Sequence, residues 1–440
     1  MKQRRQRGAR TAQALAAAMW SALAASVAQG AAIYESDRGH LDIYGILDAG
    51  LGYLEHSWAG SDVFASTINP YNLNASTHSF TGIYTGGISM SRVGSSGEFA
   101  FGDGQKVFFR LETAVNVTTG VLSNNGQAID NNIYGLRTAN AASAINGQWV
   151  SRGAYLGVSD PRWGSLQAGR TTNFSFDQVV EYDPVQAALL YSPLGFSGGI
   201  GGGLGATENS RLDESLKYQN RLSGIDFGLQ YKFRGDQNAQ SAGYAWVAML
   251  GYSSGPFSLK GTYSETTDSV VWPVQYSNVT PPGQSLQIEN TKGYMLTALY
   301  KAGSATLKAG YEDLEVYAPS RLNLTGIQDY YGISVPKPAN NATGRQYYQV
   351  WWVGGDYRFS PQFDLGVGVY DIDTYNNPEV NKQYLALAYS LLADYNFTKK
   401  FDAYLGVMVM EYSGVGLNNK APVIAYSSNA LYGVGLRCKF

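Results

Sequence analysis

The residues of this chain that could do chemistry are charged rather than nucleophilic. Three histidines, His40, His56 and His78, are too few and too scattered for a metal site. In the Ser/Thr/Asn-rich stretch 57–87, nothing pairs His78 with a nucleophile and an orienting acid at recognisable spacing. The run "GGIGGGLG" (198–205) has no Lys-Ser/Thr after it and no obvious helix, so it is not a phosphate loop. Loop flexibility or close backbone approach is what such glycines supply. What does recur is charge at alternate positions. Arg92, Gly94, Ser96 and Glu98 share one parity, opposite Val93 and Phe99. Arg110 and Glu112 stand opposite Phe109 and Leu111, and Arg152 shares a face with Ala154, opposite Tyr155. Charge on one side of a strand and grease on the other suits attraction of ions, not covalent catalysis. Neither an enzyme nor a cofactor is expected.

Such faces need strands to carry them, and period-two alternation recurs along the whole chain. "FDLGVGVYD" puts Phe363, Leu365, Val367 and Val369 together, against Asp364, Gly366, Gly368 and Tyr370. The last residues, "ALYGVGLRCKF", set Tyr432, Val434, Leu436, Cys438 and Phe440 on one face, with Gly433, Gly435, Arg437 and Lys439 on the other. Sixteen such segments lie near 40–54, 88–101, 105–117, 149–160, 163–171, 212–221, 224–234, 243–253, 256–266, 291–301, 304–314, 345–358, 362–372, 383–397, 400–412 and 428–440. Short turns such as "FGDGQK", "DPRWG", "KAGS" and "FTKK" join alternate pairs. Long loops, near 55–87, 117–148, 172–211, 267–290 and 315–344, fall only on the other connections.

A soluble sandwich has no reason to place every long loop on one side, whereas a transmembrane barrel does. Closure also satisfies every backbone group without an edge, which lipid demands. The expectation is an all-β fold: a 16-stranded antiparallel transmembrane β-barrel, a count at which such a barrel leaves an aqueous channel. A lipid-facing Arg or Lys at mid-membrane costs roughly 2–4 kcal/mol, so the strand arginines should point inward to water. The many inward Gly and Ser residues favour an open lumen over a filled one.

Composition agrees. The chain opens with five basic residues (Lys2, Arg4, Arg5, Arg7, Arg10) and the apolar run "TAQALAAAMWSALAASVAQG". This reads as a signal peptide over 1–30, cleaved before Ala31 or just after Ala28, with residues 31–440 forming the barrel. Without residues 1–30, 27 Lys+Arg remain against 34 Asp+Glu, so the exported chain is acidic and a poor candidate for nucleic acid binding. After the signal no long apolar segment remains, which excludes a helical membrane protein, and the mean hydropathy is −0.20. The single cysteine, Cys438, offers no intramolecular disulfide.

The strings "AAIYESDRGHLDIYG", "SRVGSSGEF", "VFFRLETA" and "SRGAYLGVSDPRWGSLQAGR", with the terminal Phe440, resemble the trimeric general porins of Gram-negative outer membranes. The likeness is clearest over 31–54, 88–117, 149–177 and 212–234. It implies a water-filled channel for passive diffusion of small hydrophilic solutes and ions, a homotrimer, and contact with outer-membrane lipid and lipopolysaccharide. It also implies that Phe440 and Tyr432 belong to a signal read by the barrel-assembly machinery. In the family the third outer loop folds into the barrel. That loop is then 172–211, with Asp177, Glu181 and Asp183 facing a basic wall of Arg92, Arg152 and Arg211, with Arg110 beside them. Two departures stand out. The loop reads "SPLGFSGG" where many relatives carry a Pro-Glu-Phe-Gly tip, and Ile46 stands where several place an inward lysine. One negative and one positive element are lost, so the resemblance leaves the sign of ion selectivity open. "YYQVWW" (347–352) suits an aromatic girdle or wall packing better than a sugar platform. The alternatives are a channel that prefers one substrate and, from a different class, an adhesin or structural barrel acting through its outer loops.

Overall fold

The computed structural model describes residues 31–55, 79–118, 152–195, 210–233, 244–267, 290–317, 346–375, 384–414 and 428–440, with single positions at 120, 122 and 150. The expected signal peptide, the glycine run 198–205, His56, His78 and most of the loops near 55–87, 117–148, 267–290 and 315–344 lie outside these residues, as do residues 196–209 of the loop 172–211.

The strands are β1 (Ala31–Ser36), β2 (Gly39–Leu54), β3 (Phe80–Thr85), β4 (Arg92–Ala100), β5 (Lys106–Ala114), β6 (Gly153–Asp160), β7 (Gly164–Thr172), β8 (Arg211–Leu222) and β9 (Ile225–Lys232). They continue as β10 (Ala245–Ser254), β11 (Phe257–Thr266), β12 (Asn290–Ala302), β13 (Ala305–Tyr317), β14 (Gln346–Arg358), β15 (Phe363–Tyr375), β16 (Tyr384–Asn396), β17 (Phe401–Gly414) and β18 (Ser428–Lys439). Between β7 and β8 lies one helix, α1 (Phe174–Tyr182). The pairing is antiparallel throughout, and β18 closes the sheet against β2.

Eighteen stretches make sixteen positions around the wall. β3 and β4 lie end to end along one side of β2, opposite Ala49–Leu54 and Gly39–Ile46 respectively. On the other side of β2, β18 runs to Lys439 opposite Ile46, Phe440 exchanges backbone hydrogen bonds of 2.9 and 3.0 Å with Gly45, and β1 starts opposite Ile43. Ala31 and Phe440 therefore meet within one strand line. The sequence shows all sixteen positions but not β1 or β3, because six residues hold too little alternation to stand out from their surroundings.

Side-chain parity sorts the two faces. On β2, Ile43, Leu47, Leu51 and Tyr53 are exposed outward while Tyr44, Ile46 and Asp48 are buried. On β18, Tyr432, Val434 and Leu436 are exposed, as is Phe440 directly after it, and Gly433 and Gly435 face inward. Aromatic pairs collect at both ends of this apolar band. Phe359 packs on Phe363 and Phe397 on Phe401 across the short turns, with ring centroids 5.5 and 5.3 Å apart. Tyr311 meets Trp351 at 4.1 Å, and Tyr53 meets Tyr432 at 6.4 Å, nearer the long-loop end. Rings with a polar tip favour this water–lipid boundary. The short turns have local causes. In "DPRWG" the Asp160 carboxylate accepts from the backbone N–H groups of Arg162 and Trp163, and Gly164 takes a positive φ of 79°.

The principal apolar cluster lies inside the barrel. Val179, Val185, Ala188, Leu190, Tyr191 and Leu194 of the segment after β7 pack on inward residues of β12–β18, among them Met295, Val350, Trp352, Tyr370, Tyr404 and Met408. Part of the lumen is therefore occupied by the chain's own inward loop.

Candidate functional site: the narrowed lumen

The loop between β7 and β8 starts and ends at adjacent points of the wall. Thr172 pairs with Arg211, and the Asn173 backbone N–H donates to the Ser210 carbonyl at 2.9 Å. Asn173 also caps α1, its side-chain oxygen accepting from the Ser175 N–H at 2.9 Å, and Asp177 in the first turn suits the positive end of the helix dipole. The helix stops at Asp183, which is extended, as the residue before Pro184 should be. Phe174, Ser175, Gln178, Val179 and Tyr182 form its buried face. Gln178 donates to the Thr297 hydroxyl (2.9 Å) and the Lys260 carbonyl (3.0 Å), and Trp352 Nε1 donates to the Tyr182 carbonyl (3.2 Å). Trp351, next in sequence, is exposed outward. "YYQVWW" thus serves as girdle on one face and as loop support on the other.

Beyond α1 the loop crosses to β2, β3 and the residues between β3 and β4. The Leu190 N–H donates to the Gly87 carbonyl at 2.9 Å, and the Tyr84 and Tyr191 hydroxyls lie 2.9 Å apart. Gly406 and Gly433 accommodate the Tyr191 side chain: a Cβ would come within 2.5 Å of the ring at Gly406 and 2.3 Å of the hydroxyl at Gly433. These two inward glycines are covered by the tyrosine of the constricting loop rather than left open. Gly87 is itself held by Asp48. The buried Asp48 carboxylate accepts from the backbone N–H groups of Gly87 (3.0 Å), Ile88 (3.1 Å) and Ser89 (2.8 Å) and from the Tyr404 hydroxyl (2.5 Å). That is why the β3–β4 line breaks at 86–91.

The three loop carboxylates have different surroundings. Asp177 is bonded to Lys217 of β8 and Glu181 to Lys260 of β11. Each carboxylate side chain is 30% exposed while the lysines are at 4% and 11%, so the acids are the lumen-facing members. Asp183 is fully buried, accepting from the Tyr370 hydroxyl at 2.6 Å and from the Ala187 N–H, while Lys308 donates to its backbone carbonyl at 2.9 Å. Burial pushes the Asp183 carboxyl up from its ordinary value, against the opposing pull of these partners. It is an anchor beneath the loop.

On the wall formed by β4–β8, the arginines gather around one carboxylate. Arg152 Nε lies 2.6 Å from Glu112 Oε1, Arg92 Nε 3.6 Å from Oε2, and the Tyr44 hydroxyl donates to Oε2 at 2.9 Å. The Arg110 guanidinium sits 5.8 Å from the centre of the Tyr44 ring, and Arg211 sits 5.5 Å from that of Phe176 on α1. Arg152, Arg170 and Arg92 are within Coulombic reach of Arg211, and Asp177 is within reach of Arg110. Arg170 is bonded to Asp213. Five guanidinium groups thus share two wall carboxylates, Glu112 and Asp213. The buried Nε atoms of Arg110 and Arg211 have no hydrogen-bond partner among the described residues.

Lys217, Lys260, Lys308 and Arg170 are absent from the sequence-based set, which followed the arginines of the resemblance. The parity rule that finds Arg110 could have found the lysines: their neighbours Leu216, Leu259 and Leu307 are exposed outward. The two departures also have structural expression. Leu194, in the short 3-10 turn Pro193–Gly195, is buried in the loop's apolar contact, and Ile46 is buried beside Tyr44.

A closed antiparallel wall, apolar outside and charged within, narrowed by an inward loop, defines a transmembrane barrel of the outer-membrane type. The chain belongs to the Gram-negative porin family, whose model matches residues 14–415. It resides in the outer membrane. An outer membrane porin protein of Bordetella pertussis is 28% identical over 261 residues, covering 56% of this chain and 59% of that protein, so the match spans rather more than half the length of that relative. Among solved structures, the anion-selective porin from Comamonas acidovorans superposes with a TM-score of 0.61 at 17% identity, covering 91% of this chain and all of that one. OmpT of Vibrio cholerae in its trimer form gives 0.56 at 16% identity, covering 92% of this chain and 100% of the other.

Proposed function

We propose that the protein is a passive channel for small hydrophilic solutes and ions, with a constriction that prefers anions. The family points to a channel and not to an enzyme. The observation that carries the preference is the charge imbalance at the narrowing. Asp177 and Glu181 are matched one for one by Lys217 and Lys260, whereas Arg92, Arg110, Arg152, Arg170 and Arg211 share Glu112 and Asp213. An excess of fixed positive charge raises the local concentration of anions and repels cations. Arg92, Arg110, Arg152 and Arg211 form the basic face, and Asp177 and Glu181 form the acidic rim of the loop.

The working assembly is a homotrimer embedded in outer-membrane lipid and lipopolysaccharide, with residues 1–30 removed on export. Phe440 and Tyr432 present the outward aromatic face that the barrel-assembly machinery reads, and the hydrogen bonding of Phe440 to Gly45 gives that residue a closing role as well. The test is single-channel recording in a planar bilayer under a tenfold salt gradient. Steps closing in threes with a reversal potential of anionic sign are the expected result. A cationic sign would overturn the charge argument. Folded protein without conductance would favour an adhesive or structural role for the outer loops.

A further inference from the structure

Resting on the reading of an anion-preferring constriction, we propose that it favours one class of solute: small organic anions with an apolar body, such as aromatic carboxylates, over compact anions of the same charge. The loop surface that meets the lumen is not uniformly polar. With Phe174, Ser175, Gln178, Val179 and Tyr182 turned to the wall, the remaining face of α1 carries Phe176, Asp177, Val180 and Glu181. Phe176 and Val180 stand one turn apart, so their side chains adjoin on that face. Val180 is 39% exposed and Phe176 is partly exposed, and neither belongs to the buried apolar cluster that the loop makes with the wall. Water in the lumen touches this strip.

The strip faces the basic wall. The Arg211 guanidinium stands over the Phe176 ring, and Arg92, Arg110 and Arg152 of the same wall are partly exposed. A carboxylate whose oxygens meet these guanidinium groups would place its own body against Phe176 and Val180. Arginine offers a planar fork matched to carboxylate, and its face tolerates an aromatic ring beside it. A bare halide gains only the charge. An uncharged aromatic gains only the apolar contact and must enter past a field that orders water. The two elements together select the amphiphilic anion.

The measurement is the permeability of benzoate relative to acetate, from reversal potentials with each sodium salt on one side, in the full-length channel. The same records give the chloride-over-sodium ratio. Wild type is expected to pass benzoate more readily than its size and mobility allow, or to show brief benzoate-dependent blocks that acetate does not cause. In the double variant Phe176→Ser/Val180→Ser this benzoate advantage should fall roughly five-fold, about 1 kcal/mol or a little more than one methylene's worth of apolar contact. The milder Val180→Thr, at an exposed position with shape retained, should fall in the same direction and guards against a misfolded loop. A benzoate-to-acetate ratio that is the same in wild type and both variants, with chloride still preferred over sodium, overturns this inference alone. Loss of chloride preference in wild type overturns the reading beneath it.

Discussion

The two halves of the barrel interior obey one alternation rule and put it to different uses. On β10–β18 and β2 the inward residues hold the loop: lysines matched to acids, glycines filled by Tyr191, and Trp352 and Met408 closing a dry contact. On β4–β8, Lys217 also holds the loop, but the inward arginines outnumber the wall carboxylates they pair with. The first wall is spent on holding the loop, and the second keeps a surplus of positive charge for what passes through. Fixing a loop in the middle of a water-filled wall requires an ordinary protein core, because the entropy of ordering those residues must be offset by burial.

The strongest blow to this division is Tyr191→Ala. Removing a fully buried ring costs about 3–5 kcal/mol in typical cores, enough to free the loop from its wall. Conductance should rise and become noisy while the barrel keeps its β-sheet circular dichroism, and an unaltered conductance would mean that the loop docks without its tyrosine. Asp48→Asn comes next. An amide placed against the N–H groups of Ile88 and Ser89 loses their acceptor, at roughly 2 kcal/mol for hydrogen bonds to a charged group. The expected readouts are a lower denaturation midpoint and, through Gly87, a less firmly held Leu190.

On the opposite wall, Arg92→Ala with Arg152→Ala should leave the barrel folded and shift the reversal potential toward cations. The pair loses two charges and leaves Glu112 without its guanidinium partners, worth about 1 kcal/mol of ion energy or roughly five-fold in permeability ratio. An unchanged reversal potential would remove those arginines from the selectivity argument.

The smallest expected effect is a pH dependence centred on Asp183. Its carboxyl is raised in the folded chain, so the associated stabilisation is present at low pH and is lost as pH rises through the folded value. Loop docking should therefore firm up on acidification, seen as quieter current, with Tyr370, Ser192 and Lys308 as the groups around the carboxyl. Asp183→Asn, a fixed neutral stand-in for the protonated acid, should flatten that dependence.

The sequence by itself determined the wall. Period-two alternation, charges that end each apolar stripe, and long loops confined to one side specify sixteen positions and their inward and outward faces, because lipid penalises each misplaced charge and each unpaired backbone group locally. Arg92 and Arg110 were legible for that reason. Arg152 was not: the face it shares by parity with Ala154 carries the exposed Leu156 and Val158, Tyr155 opposite is the inward residue, and Arg152 reaches Glu112 only because it stands just before β6 begins at Gly153. Arg211 and the loop carboxylates were reached through family resemblance, since no strand parity governs a loop. Only the tertiary structure decided which acid meets which base, that Asp183 is an anchor, that Asp48 breaks the β3–β4 line, and that Tyr191 fills Gly406 and Gly433. Those contacts join residues far apart in the chain, such as Asp48 with Tyr404. Their physical cause is the meeting of a folded loop with a closed wall, and no local pattern records it.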